Sequence, residues 1–470
     1  MKKPIYISGP AGTGKTTLLL AKTAHYASTL VTEPHQRLLA MAYMHGARRR
    51  LDTSLELDED CHQIPRLVST IDSFALTLLN QWRTALGLEL PICPAPSRCT
   101  QSYQRHDRWY LPFTEIAELA AKLLKHDTVL RIVAASFPLI VIDEFQDCTG
   151  AKLELIRALA AKSQLIIAAD AYQLLDGAVD GCPAVEWIES LRNDGLHECH
   201  NLLKPQRYVN GKIFEAAQCL REQKSPINET IPIFQGQFRP VAFRIMERLQ
   251  LGWNGPCWTG TTAIISPSVG GVVEDLLRSL AEQSTKRGHQ PIKWRRQNAS
   301  DAEEAGLYKA LGVSSDHLDE TGWDSQLAKT ERHTTEVMEL TRRFAHLRGL
   351  STIPKYLVSS IAGRVIHTAR SRGPRSDRFV VTTIHGAKNC EYDNVIIIWS
   401  YQVPPGRELQ SRLLYNAVTR AKKNCVVFDT RQQKISLADE ILALIGTPKP
   451  VFEKKKKSST ALLKRRTSSK

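Results

Sequence analysis

Short apolar runs recur along the chain, separated by helix-length stretches of mixed polarity. "PIYISG" (4 to 9) feeds a glycine-rich segment, and "TTLLLAKTAHYA" (16 to 27) then has helical spacing. "RLLAMAY" (37 to 43), "RLVSTI" (66 to 71), "FPLIVIDE" (137 to 144) and "SQLIIAAD" (163 to 170) are nearly continuous apolar runs of strand length. Strands that are apolar on both faces and alternate with helices predict a parallel sheet covered on both sides. A second set follows in "TTAIISPS" (261 to 268), "FVVTTIHG" (379 to 386), "NVIIIWS" (394 to 400) and "KNCVVFDT" (423 to 430). The pattern predicts an α/β protein with two tandem cores, residues 1–200 and 201–450.

Two stretches interrupt this alternation and are read as small, mainly helical inserted subdomains. Residues 79–135 are polar and aromatic, with Trp82, Tyr103, Trp109, Tyr110 and Phe113 among Arg98, Arg105 and Arg108. Residues 286–375 are helical in pattern and turn basic at "RSRGPRSDR". No internal repeat of fixed period is visible.

Composition narrows the class. With 42% hydrophobic and 24% charged residues over 470 positions, and no apolar run of about 18 residues, the chain is expected to avoid the membrane. The N-terminus lacks the apolar stretch of a secretory signal, so a cytoplasmic location is expected. The ten cysteines show no paired C-x-x-C spacing, which favours reduced thiols over a disulfide framework. "HECH" (197 to 200) reads either as a metal cluster or, by its isolation, as ordinary loop or helix residues. The net charge of +15 favours a polyanionic partner. Part of that charge sits in residues 451–470, a basic tail expected to be disordered; it reads either as a solvated solubility tail or as a nucleic-acid tether.

The chemistry begins in "GPAGTGKTT", which fits G-x-x-x-x-G-K-[ST] after a strand and before a helix. Gly9, Gly12 and Gly14 let backbone N–H groups close around phosphates, and the helix N-terminus adds its dipole. Lys15 is expected to reach the β/γ-phosphates and Thr16 to hold Mg²⁺, with Thr17 beside them. "LIVIDEFQD" places Asp143 and Glu144 at a strand end, where ligands bind in open α/β sheets. Asp143 suits Mg²⁺, and Glu144 suits the orientation and deprotonation of water. Together these motifs predict hydrolysis of ATP or another NTP.

In family order, "STIDSFA" resembles "TxHSF", "AADAYQLLDG" resembles "GDxxQxIxxFRGA", and "NLLKPQRYVNGKI" resembles "LxxNYRSxxxI". "VTTIHGAKNCEYDNVIII" resembles "TxHxxKGLEFxxVxxx", and "RLLYNAVTRAKKNCVVF" resembles "RLxYVAxTRAxxxLxL". With "DEFQD" and a degenerate "LLAMAYMHGARRRL", these segments are similar to the UvrD/Rep/PcrA group of superfamily 1 DNA helicases. The compactness of the chain fits the phage-defence, Gabija-like type.

The resemblance implies two RecA-like cores and 3′ to 5′ movement on single-stranded DNA or a tailed duplex. It implies that Gln173 senses the γ-phosphate, that Arg207 and Arg420 reach it from the second core, and that Glu391 lies near the ribose. Each arginine could instead form a surface salt bridge. Thr70, Ser73, Phe74, Thr383 and His385, with Tyr43 and His45, are the expected nucleic-acid contacts, although Phe74 and Tyr43 also suit a core. The alternative function is a nucleotide-gated regulatory subunit of a partner nuclease. A single-core kinase or GTPase has no use for the paired arginine motifs.

Departures from the family pattern carry expectations too. Only Met1 to Pro4 precede the first strand, so an adenine-reading glutamine segment is expected to be missing; Thr17 and Gln206 replace an arginine and a tyrosine. Weak discrimination among bases is expected. Asp72 stands where the family has histidine, and the "FRGA" aromatic is absent, leaving Tyr172 as its possible substitute.

Overall fold

The apolar runs become the strands of two parallel sheets in the computed structural model. It describes residues 3–95, 99–105, 108–175, 181–193, 198–206, 211–226, 228–253, 255–296, 301–313, 322–323, 334–347, 349–371, 378–431 and 441–451. The first half runs through β1 (Ile5–Ser8), α1 (Lys15–Leu30), β2 (Leu38–Ala42), α2 (His45–Leu57), β3 (Arg66–Thr70) and α3 (Ile71–Trp82). Then come β4 (Ile92–Pro94), β5 (Tyr103–Arg105), β6 (Arg108–Leu111), α4 (Phe113–Leu123) and α5 (Asp127–Ser136). β7 (Leu139–Asp143), α6 (Gly150–Ala160), β8 (Gln164–Ala169), α7 (Pro183–Asn193) and β9 (Glu198–Asn201) follow.

The first sheet has the order β3-β2-β7-β8-β1-β9, and every pairing in it is parallel. All residues of β2, β7 and β8 are buried, as strands covered on both faces require. Parallel register aligns the carboxyl ends: Ala42 lies opposite both Thr70 and Asp143, and Ser8 opposite Ala169. The phosphate loop after β1 and the carboxylates after β7 therefore share one edge, with the end of β8 between them.

The second half contains α8 (Gly211–Glu222), β10 (Ile233–Gln235), α9 (Phe238–Met246), β11 (Thr262–Ser266), α10 (Val272–Lys286) and β12 (Arg295–Arg296). Three helices, α11 (Asp301–Ala310), α12 (Thr334–Leu347) and α13 (Lys355–Ser371), precede β13 (Phe379–Thr383), β14 (Tyr392–Trp399), α14 (Arg407–Val418), β15 (Ala421–Asp429) and β16 (Pro448–Pro450). The order β12-β13-β11-β14-β15-β10-β16 forms a seven-stranded sheet, again parallel throughout. The expected α/β class with two parallel-sheet cores is what the chain adopts.

The inserts differ in character. Helices α11 to α13 build a cluster of their own around Leu307, Leu311, Val358 and Ile361. The earlier insert instead shares the first core's cluster, since Ile92, Leu111, Ile116 and Val129 pack with Ile71, Leu78 and Ile142. It also carries a three-stranded sheet, β4-β6-β5, that a mainly helical reading did not anticipate. The tail residues 452–470 lie outside the described residues. Among the described residues no helix is long and apolar enough to cross a membrane.

Candidate nucleotide-hydrolysis cleft

Between β1 and α1 the chain turns on glycines whose geometry other residues resist. Gly14 caps α1 at φ 90, in the left-handed region that costs L-residues energy. A Cβ on Gly9 would lie 2.6 Å from the carbonyl oxygen of Leu202, so close approach of the neighbouring segment requires glycine there. Lys15, at the start of α1, folds back to donate from Nζ to the carbonyls of Gly9 at 2.9 Å and Pro10 at 3.1 Å. Thr16 Oγ1 donates to Asp143 Oδ2 at 3.2 Å.

Glu144 turns off the end of β7 with φ 56 and ψ 44, a left-handed conformation rare for a non-glycine residue and found where function over-determines the backbone. Its Oε2 accepts from Gln146 Nε2 at 2.7 Å, and its Oε1 from Arg50 Nη2 at 3.1 Å. Arg50 also lies 3.9 Å from Asp143. Burial raises the Asp143 carboxyl, and the neighbouring charge of Glu144 raises it further against Arg50 and Lys15. Burial works on Glu144 in the same direction, but Arg50, Lys15 and the Gln146 amide outweigh it and bring that carboxyl down to about 2. The pair therefore holds its charge unequally, with Glu144 the more firmly ionised.

A cavity of about 190 Å³ is lined by Gly12, Gly14, Lys15, Thr16, Thr17, Asp143, Glu144, Gln173 and Arg420, all expected from the sequence, and by Ala11, Arg50 and Gln206. Arg420 follows α14 and is 2% exposed; its guanidinium donates to the Asn416 carbonyl and to Thr419 Oγ1. Gln173 is buried, and its Oε1 has no hydrogen-bond partner, which leaves an acceptor on the cavity wall. Arg207 and Tyr208 lie outside the described residues. Glu391 does not line the cavity; it pairs with Lys422 at 3.4 Å and adds to the acidic field around Arg50.

Arg50 was missed because its segment, "GARRRL", reads only as a basic helix face. The signal lies across the cleft in "AKNCEY", where the family pattern has glycine after lysine and this chain has Asn389. Asn389 adopts φ 67, a conformation asparagine tolerates. Its backbone oxygen and Oδ1 both accept from Arg50 at 3.4 Å. Beside it, Lys388 Nζ reaches Asp147 Oδ1 at 2.5 Å, with both side chains under a tenth exposed. Lys388 of the second core thus grips the "DEFQD" region directly, and Asn389 reaches it through Arg50.

The expected nucleic-acid contacts divide. His385 is exposed and Ser73 half-buried at the carboxyl edge, while Thr383 Oγ1 accepts from the Gly386 N–H. Thr70 is 3% exposed and caps α3, accepting from the Ser73 N–H, so its oxygen is used internally. Phe74 is a core residue: it is 4% exposed and packs edge-on against Phe137. No base can stack there. Phe74→Ala is expected to lower stability by about 3 kcal/mol or more in chemical denaturation, with DNA affinity of the folded fraction unchanged in fluorescence anisotropy.

Tyr172, named as the substitute for the missing aromatic, is half-buried. Its hydroxyl donates to the Leu220 carbonyl at 2.6 Å and meets Ser411, so it joins the two cores. Asp72 is neutralised by Lys152 at 2.8 Å, and that ammonium lies 4.4 Å from the centre of the Tyr43 ring. The side chain of His45 is outside the described set. In "HECH", Glu198 to His200 lie in β9, with Glu198 paired to Lys22 and His200, and His197 is outside the described residues; among the described residues no cluster of three or more His, Cys, Asp or Glu side chains is placed to hold a metal.

The cleft joins a phosphate loop and two carboxylates on one core to an arginine on another, and family comparisons fall on the same two halves. The AAA domain matches residues 1–178, and the UvrD-like helicase C-terminal domain matches residues 378–428. No curated protein matches the chain. The protein is an enzyme, an NTP hydrolase of the ATP-dependent DNA helicase class. Within that class, the matched domains support a UvrD-like helicase of superfamily 1.

Proposed function

We propose that the protein is a nucleic-acid-stimulated NTPase motor that moves 3′ to 5′ along single-stranded DNA. One observation carries the reading: a single cavity is lined by the phosphate loop and carboxylates of the first core and by Arg420 of the second. Hydrolysis at such a joint changes the fit between two cores, and a strand lying across both is gripped in turn.

Each group has a defined task. The loop N–H groups and Lys15 bind phosphates. Thr16 and Asp143 offer hard oxygen donors 3.2 Å apart and so fit Mg²⁺, which supplies charge neutralisation when bound. Glu144 orients and deprotonates water. Arg420, with Arg207 as its expected partner, neutralises charge on the transferred phosphoryl group. Gln173 offers its unpartnered oxygen to the same space. Ser73, Thr383 and His385 face the strand.

Thr17 and Gln206 line the cavity and provide neither a cationic nor an aromatic face for a base. GTP and dATP are therefore expected to be hydrolysed within about tenfold of ATP in a substrate panel, since neither residue offers a face that tells one base from another. A strict preference for ATP contradicts this.

Strand separation tests the motor. A 3′-tailed duplex should be opened in the presence of ATP, and a 5′-tailed duplex should not. DNA-stimulated hydrolysis with neither duplex opened favours the regulatory reading, in which closure of the cleft controls a partner nuclease.

A further inference from the structure

Tyr415, on α14 of the second core, is fully buried and enters the first core hydroxyl-first. Its Oη accepts from the backbone N–H of Ala11, inside the phosphate loop, at 3.0 Å. It donates to Asp170 Oδ2, at the end of β8, at 2.6 Å. The other Asp170 oxygen accepts from Arg221 of α8 and from the Tyr172 N–H. One hydroxyl of the second core therefore satisfies two separate groups at the carboxyl edge of the first.

The hydrogen bonds continue on both sides. The Asp170 N–H donates to Gln146 Oε1 at 3.0 Å, and Gln146 Nε2 donates to Glu144 at 2.7 Å. On the other side, the Tyr415 carbonyl accepts from the Thr419 N–H and hydroxyl, one residue before Arg420. The seat of Tyr415 thus sets how far α14 advances and where Arg420 stands. Withdrawal of α14 would take the Tyr415 hydroxyl from both first-core partners at once.

We infer that Tyr415 is a positioning residue that couples closure of the two cores to the phosphate loop and Glu144 on one side and to Arg420 on the other. It touches no reacting atom; it makes the seating of the arginine and the shape of the loop a single event. Networks of this kind act as units, so pairwise deletions in them are not additive.

The test uses the full-length chain and Tyr415→Phe, which keeps the ring packed edge-on against Tyr172 and removes only the hydroxyl. At saturating single-stranded DNA, kcat for ATP is expected to fall at least tenfold, while KM and the affinity for a fluorescent ATP analogue move by less than about threefold. Asp170→Asn should slow turnover similarly, and the double variant should be no more than twofold slower than the worse single one. If Tyr415→Phe does not fold, Asp170→Asn alone is judged by the same kcat and KM criteria, since it alters the acceptor of the Tyr415 hydroxyl. A kcat within twofold of wild type, a change confined to KM, or multiplicative effects in the double variant overturns the inference.

The DNA-stimulated readout rests on the motor reading above. If wild type is not stimulated by DNA, that reading fails by itself. Tyr415 is then judged on basal kcat, where the same tenfold loss is expected and an unchanged rate overturns it.

Discussion

Replacing Glu144 by glutamine is expected to slow ATP turnover by roughly 10² to 10⁴ and to leave nucleotide affinity within about threefold of wild type. Glutamine keeps the shape of the side chain and its contact with Gln146 but removes the negative acceptor. The left-handed backbone at this residue aims the carboxylate into the cavity, and the substitution does not alter that backbone. In the described state Arg50 is the strongest of the influences that lower this carboxyl. Steady-state hydrolysis paired with equilibrium binding of a fluorescent analogue separates the two effects. Loss of binding together with turnover would assign Glu144 to the binding surface.

Arg420→Ala is expected to cost at least as much, roughly 10³-fold or more in kcat, the range associated with arginine fingers. The guanidinium is buried against the Asn416 carbonyl and Thr419 Oγ1 at the end of α14. Its attraction for a phosphoryl group is therefore little screened by water. Arg420→Lys should recover less than a tenth of the lost rate, because an ammonium cannot reproduce the planar fork of donors. Steady-state hydrolysis at saturating ATP, with thermal melting of each variant, checks this. Comparable kcat in Arg420→Ala and wild type would remove the second core from the chemistry.

Much of this cleft was legible because its chemistry depends on local sequence. The glycines, Lys15 and Thr16 act through a loop conformation they encode themselves, and Asp143 and Glu144 are placed by the strand that ends in them. The strands were legible because fully buried parallel strands are continuously apolar, as "LIVID" and "LLAMA" are. Arg50 was hidden because its significance arises across the cleft, from contacts with Asn389 and Glu144 in segments far apart in the chain. Tyr415 stands in a motif the sequence did reveal, but its two partners lie about 400 and 245 positions away. For Phe74 the motif left both a nucleic-acid contact and a core place open. Ile71, Phe74, Ala75, Leu78 and Leu79 recur at helical spacing and are all buried, so the apolar stripe of α3 already assigned Phe74 to the core. The small β4-β6-β5 sheet escaped notice because three-residue strands are too short for periodicity to register.

ATP hydrolysis measured with and without single-stranded DNA, in wild type beside Glu144→Gln, tests the two-core motor most directly. The cleft predicts a basal rate that rises at least tenfold with DNA in wild type and stays near zero in Glu144→Gln under both conditions. Wild-type hydrolysis that DNA leaves unchanged would contradict it.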